Sequence, residues 1–236
     1  ASVVDIAANE DLDFKDVLGS DAVVTLLADG FEVRRFTLKV GSIAFTGVET
    51  GSLRYRVELF PHFWLLKHTV STRKFRNLST KDIVTQILGE QGVTNAWKTT
   101  RDLPVRNYCV QYRESNHDFI SRLLEFEGIY YDFDDDGVMV MADQSSASAS
   151  VPGKSSFELI DSAGALAHGE QGIREIIKGA LVCSGAATVN DFDWKKPKTK
   201  LIQSKKAEVD DDLEVYDYPT GYRDADQGAL LAQHRL

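Results

Sequence analysis

At 236 residues, with 43% hydrophobic and 10% aromatic side chains, the chain can bury one or two cores and lacks the composition of a disordered protein. Its net charge of -9 disfavours a nonspecific polyanion binder, because neutralising phosphates takes clustered Lys and Arg. No apolar run approaches the ~20 residues of a membrane span, and the two cysteines, Cys109 and Cys183, read as reduced and packed.

Residues 1–8 alternate apolar and polar side chains and lack the charged-then-apolar build of a signal peptide. They are expected to be a strand entered partway, which argues against general secretory export and leaves room for export by another machine. Strands are expected at 21–27, 31–40, 43–48 and 53–60, with turn residues at 28–30 and 49–52. That spacing suggests an antiparallel barrel or sandwich. Pro61 ends the last of these strands, since proline has no place inside a central one. The Phe60, Phe63 and Trp64 cluster then reads as a core plug in preference to a ligand site.

Ser79 opens a helix, with Asp82 at the third position and Ile83, Val84, Ile87 and Leu88 as its buried stripe. Gly89 or Gly92 closes it. Trp97 begins another extended piece, and Leu103-Pro104 leads into the most regular stretch. There Tyr108, Val110 and Tyr112 alternate with Cys109, Gln111 and Arg113 as a half-buried strand. Ser115 caps a second helix, with Asp118 placed for a shortened capping box. Phe119, Ile120, Leu123 and Leu124 form its stripe, and Arg122 and Glu125 face away. Gly128 stops it. A strand at 129–133, an Asp136-Gly137 turn of type I′ and a return through 138–141 make a hairpin.

Beyond Met141 the composition shifts. Residues 144–156 read as a loop or linker, and strands are expected at 157–160, 173–177, 180–183 and 186–193. The lysines from Lys195 to Lys206 form a basic cluster. It is either a contact for an acidic surface on a neighbouring chain or a solvated loop balanced by Asp210, Asp211 and Asp212. A last helix starts near Asp224, with Leu230, Leu231 and His234 on one side.

Candidate chemistry is thin. Asp132, Asp134, Asp136, Gly137 and Asp143 imitate the spacing of an EF-hand loop. Their flanks are β-like where an EF-hand needs helices, so a hairpin tip with solvated carboxylates is the favoured reading over a cation site. Glu125 and Glu127 could be read as a glycosidase pair, but residues two apart on a helix point in different directions. His62, His68, His117, His168 and His234 show no metal-ligand spacing, and His117 reads as a surface residue in a helix's first turn. Cys109 reads as a packed thiol and not a nucleophile. No GxSxG, P-loop or dinucleotide fingerprint is present.

Several of these stretches carry a resemblance. The run YCVQYRESNHDFISRLLEFEGIYY at 108–131 closely resembles the hub segment of VgrG proteins, the spike proteins of bacterial type VI secretion. These are similar in turn to the baseplate hub of contractile phage tails. LRYRVELFPHFWLL at 53–66, the short helix after Phe75, FDWKKPKTK at 192–200 and YDYPTGY at 216–222 look VgrG-like too. The resemblance implies a mainly β fold with an α+β insertion. Two antiparallel barrel-like domains, at 1–68 and at 132–236 with the terminal helix, would flank an α/β insertion at 69–131 with two short helices.

It further implies a structural homotrimer and not an enzyme, adapting a hexameric tube to a three-chain needle. Needle tip, secreted effectors and baseplate components would be further partners, with no nucleic acid and no stable membrane insertion. Assembly in the bacterial cytoplasm and secretion through the type VI apparatus go with it. Catalytic, cofactor-binding and metal-ligating residues are expected to be none. Two other classes stay open at this point: an effector-type hydrolase, and a monomeric calcium-binding module built on residues 132–143.

Overall fold

Residues 2–60 hold a four-stranded antiparallel sheet made of β1 (Ser2–Ala8), β2 (Asp21–Ala28), β3 (Phe31–Glu49) and β4 (Ser52–Phe60) in the order β1-β4-β3-β2. The computed structural model describes residues 2–28, 30–148, 156–159, 172, 173 and 175–236. The stretches expected as separate strands at 31–40 and 43–48 run on as the single 19-residue β3. Its first half pairs with β2 and its second with β4, and Lys39 is the residue that faces both Asp21 and Phe60. Register shifts at Val40/Ser42 and Phe45/Gly47 mark bulges in β3, and bulges bend and twist a strand. The sheet accordingly curls as a half-barrel.

The sheet's own core is small. Val40, Val57 and Leu59 are buried, with Val4, Ile6, Val17, Ala22, Val24, Leu38 and Ile43 packed around them. Tyr55, also fully buried, donates its hydroxyl to Asp11 at 2.6 Å and so ties down the segment that carries the one-turn helix α1 (Phe14–Val17). Gly41 sits under the stacked rings of Phe60 and Trp64, whose centroids lie 4.0 Å apart. A Cβ on Gly41 would collide with the Phe60 ring, so only glycine lets that stack rest on β3.

The larger core follows. A 3-10 turn, His62–His68, delivers Phe63 and Leu66 to it. β5 (Val70–Phe75), β6 (Leu78–Ser79), α2 (Thr80–Glu90), β7 (Asn95–Lys98), β8 (Val105–Arg106), β9 (Cys109–Ser115), α3 (Asn116–Phe126), β10 (Tyr130–Phe133) and β11 (Met139–Ala142) complete it. The stripe Ile83, Val84, Ile87 and Leu88 of α2 meets Phe119, Ile120, Leu123 and Leu124 of α3, all 0–1% exposed. Arg122 and Glu125 face outward, as the sequence pattern required.

Helix ends follow local chemistry. Ser79 and Asp82 form a complete capping box. Ser115 accepts from the Asp118 N–H at 3.0 Å, but Asp118 turns its carboxylate to His117 at 3.1 Å, leaving that box half made. Gly92 and Gly128, at φ +68° and +66°, follow the last turns of α2 and α3.

The chain divides into two compact units, Ala1–Ala147 and Ser148–Leu236. The border expected at 131/132 therefore falls inside β10. The physical reason is the parallel pairing of β11 with β7, Met139 opposite Asn95 through Ala142 opposite Lys98, which keeps the whole β10–β11 hairpin in the first unit.

In the second unit β12 (Ala186–Val189) lies between antiparallel β13 (Gln203–Lys206) and parallel β14 (Glu214–Asp217). α4 (Ala225–Arg235), which starts beside Asp224 as expected and is capped by it, packs on this sheet through Leu231 and Ala232. Tyr222 of the YDYPTGY stretch is buried and donates to the carbonyls of Val189 and Leu201. Burial pushes its phenol up to about 12. Gly228 on α4 leaves room for the ring, because a Cβ there would come within 2.5 Å of it.

The strand expected at 180–183 does not form: among the described residues these make no strand pairing, and their side chains are exposed, Cys183 included where a packed thiol was expected. At 157–160 and 173–177 the described residues contribute only the bridge between Leu159 and Ile173. Most of the expected linker at 144–156, with Ile160, Arg174 and His168, lies outside the described residues.

Candidate functional site

The acidic turn carries the spacing of a cation loop. Residues 134–137 form a turn closed by the Gly137 N–H donating to the Asp134 carbonyl at 3.0 Å. Only Gly137 has positive φ (+79°), whereas type I′ needs it at both central residues. The turn is thus a type I followed by a left-handed glycine, and the type I′ expectation is corrected. The Asp134 carboxylate, accepting from the Asp136 and Val138 N–H groups at 3.1 and 2.8 Å, fixes that shape.

The neighbouring carboxylates are engaged by cations of β3. Asp135 pairs with Arg34 at 3.0 Å and Asp136 with Arg35 at 3.6 Å, while the Thr37 N–H donates to the Asp135 carbonyl at 3.2 Å. Asp143 accepts from the Thr100 N–H and hydroxyl, on the far side of the hairpin. The structure thus gives these aspartates a docking role: the hairpin tip locks onto the half-barrel sheet. Among the described residues no group of three His, Cys, Asp or Glu is placed to hold a metal ion.

A small cleft of about 160 Å³ lies along that seam, lined by Asp21, Lys39, His62, Gly92, Asp136 and neighbours. Asp21 and Lys39 pair at 2.8 Å. Burial, helped by Lys39, holds the His62 imidazole below its ordinary range. His117, expected on the surface, instead lies half-buried with its ring 4.7 Å from that of Phe63.

Glu125 and Glu127 are not a pair. Glu125 is exposed, while Glu127 caps the C-terminus of α3 and is buried. Its carboxylate accepts from Thr80 at 3.0 Å and forms ion pairs with Arg106 at 2.9 Å and Arg101 at 3.2 Å. Arg101 also donates to the Glu127 carbonyl at 2.6 Å. A second polar knot holds β5 to β9: Arg73 donates to Gln111 and to Asn116, both buried. These groups are held by protein partners, which suits fixed architecture. Cys109 is buried, and burial pushes its thiol up, away from the thiolate a nucleophile needs.

What the described surface offers is contact area. Among the described residues β1 pairs only with β4 and β2 only with β3, which leaves the half-barrel two edges without a partner strand there. Toward the turn of the β2–β3 ribbon, Leu26, Leu27, Phe31 and Val33 are all at least half exposed. In the second unit Phe192 and Trp194 stand out beside Lys195, Lys196, Lys198 and Lys200 on an exposed turn. Composition alone could flag the lysines, but only the structure shows the two rings beside them to be uncovered.

The sequence profile of the phage tail baseplate hub (GPD) family matches residues 2–236. The type VI secretion system spike protein VgrG1b of Pseudomonas aeruginosa is 32% identical over 241 residues, covering 98% of this chain and 32% of that protein. VgrG1c of the same organism is 30% identical over 246 residues, with 98% and 33% covered. The chain thus spans about a third of the length of these relatives. The tail protein from Neisseria meningitidis MC58 shares the fold, with a TM-score of 0.60 at 13% identity over 99% of this chain and 64% of that one. A half-barrel sheet, a helix-containing middle and a smaller β unit, matched from end to end by one profile, place this chain in the phage tail baseplate hub family.

Proposed function

We propose that this chain is the structural hub of a trimeric cell-puncturing spike in type VI secretion, seating a hexameric tube on one side and a three-chain needle on the other. The observation that carries the reading is the hub-family match over residues 2–236, joined by spike-protein relatives that align over 98% of the chain. Two units per chain in a threefold ring give six positions, which fits a hexameric partner. Each protomer presents one surface to the next in a heterologous contact that closes after three steps. An obligate interface of that kind buries more than about 2,000 Å². The work is mechanical, and the buried Glu127 carboxylate, held by Thr80, Arg101 and Arg106, suits a structural role.

The needle tip, secreted effectors and baseplate components are the further partners of this reading. Assembly takes place in the bacterial cytoplasm, and the finished spike leaves through the type VI apparatus. No helix of the described residues is long and apolar enough to cross a membrane. Light scattering on the eluting protein tests the symmetry. Three chains of 26.3 kDa predict a particle of about 79 kDa. A particle of one chain mass at every concentration would contradict it.

A further inference from the structure

The exposed lysine turn of the second unit is built to be met by something acidic. Asp193 shapes it by accepting from the Lys195 N–H with its carboxylate at 2.9 Å and from the Lys196 N–H with its carbonyl at 2.9 Å. The Thr199 N–H then donates to the Lys196 carbonyl at 3.0 Å, so the turn is fixed and not a loose tail. Trp194, 72% exposed, and Phe192, 57% exposed, stand on it, with Lys195 Nζ 5.3 Å from the Trp194 ring centroid.

The carboxylates of 210–212 do not neutralise this turn. Asp211 pairs with Lys206 at 3.0 Å, and among the described residues none of Lys195, Lys196, Lys198 and Lys200 is in an ion pair. An uncovered tryptophan on a fixed turn has the character of an interface anchor, since aromatic residues are enriched where contacts are made. Here the lysines would lie at the rim, where charge steers association.

The first unit carries the complementary patch. Glu10, Asp11, Asp13 and Asp16 are exposed, and none of them is in an ion pair among the described residues. Phe14 and Leu18, on the same segment, are 38% and 48% exposed. Four acids outside any ion pair among the described residues flank two part-exposed apolar side chains and complement the lysines around Phe192 and Trp194. Of these acids, Asp11 also accepts from Tyr55 and Asp13 from the Lys15 N–H.

We infer that the turn at 192–200 of one protomer docks on the acidic segment at 10–18 of a second copy of this chain. The contact joins two different surfaces, as a closing ring requires, and it rests on the trimeric reading of the chain. Trp194 and Phe192 meet Phe14 and Leu18 in its centre, and the lysines surround them opposite the acids.

Charge reversal in the 236-residue chain tests it, with particle mass followed by light scattering against concentration. Either Lys195→Glu with Lys196→Glu, or Glu10→Lys with Asp16→Lys, is expected to weaken association at least about tenfold. The chain carrying all four changes presents a reversed turn to a reversed segment and is expected to regain assembly. Raised salt is expected to weaken the wild-type association. A wild type that assembles threefold, with every variant assembling equally well, would overturn this contact and leave the trimer standing. A wild type that never assembles would overturn both. Variants that lower the melting temperature of the single chain without changing its association would place the contact within one chain, and that too overturns the inference.

Discussion

Glu127→Ala is expected to be among the most damaging single changes in the first unit. It removes a carboxylate 4% exposed and leaves Arg101 and Arg106, themselves only about a quarter exposed, without their counterion. It also leaves the buried Thr80 hydroxyl without the acceptor it now reaches at 3.0 Å. Breaking a buried pair by deleting one partner typically costs about 3–5 kcal/mol, because the other charge stays buried and unpaired. For a chain of this size that corresponds to a fall in melting temperature on the order of 10 °C. Calorimetry of the purified protein measures it, and Glu125→Ala is the control. Glu125 is exposed and makes no ion pair among the described residues, so its loss should stay within about 0.5 kcal/mol. Equal effects for the two glutamates would contradict a structural role for the Glu127 knot.

Phe119→Ala should cost as much by a different route. The ring is fully buried, stacks on Phe75 with centroids 5.7 Å apart, and lies under the Arg122 guanidinium at 4.8 Å. Truncating a buried phenylalanine costs about 3–5 kcal/mol through lost transfer energy and the cavity it leaves. The cavity would open between α2 and α3, so hydrogen exchange should accelerate in both helices before the β1–β4 sheet responds. That order follows from the separateness of the two cores: the sheet's cluster around Val40, Val57 and Leu59 shares no buried residue with the helical one. Uniform acceleration across the first unit would show the cores to be one.

The contrast between these two residues also marks how far the sequence could be read. Phe119 was legible, since its helix period, the Ser115 cap and Gly128 all lie within a few residues of it. Helix stripes and caps are local, and both helices stand where their patterns put them. Glu127 was not legible. Its partners Thr80, Arg101 and Arg106 lie 21 to 47 residues away, and no local pattern couples them. The hairpin tip with its exposed carboxylates was legible, but not the partner of Asp135: Arg34 lies 101 residues away, and no local pattern couples them. Parallel pairing of β7 with β11 joins segments that no hairpin signal connects, so the extent of the first unit is not read from local patterns. The family resemblance, carried by residues 108–131 and the motifs around it, supplied the architecture that local patterns left open.

The proposed matching of a threefold hub to a sixfold tube is read by native mass spectrometry of this chain mixed with a hexameric tube protein. Three copies of this chain on one six-membered ring are the expected complex. A complex with one chain per tube subunit, or no complex with preformed rings at any concentration, would contradict it.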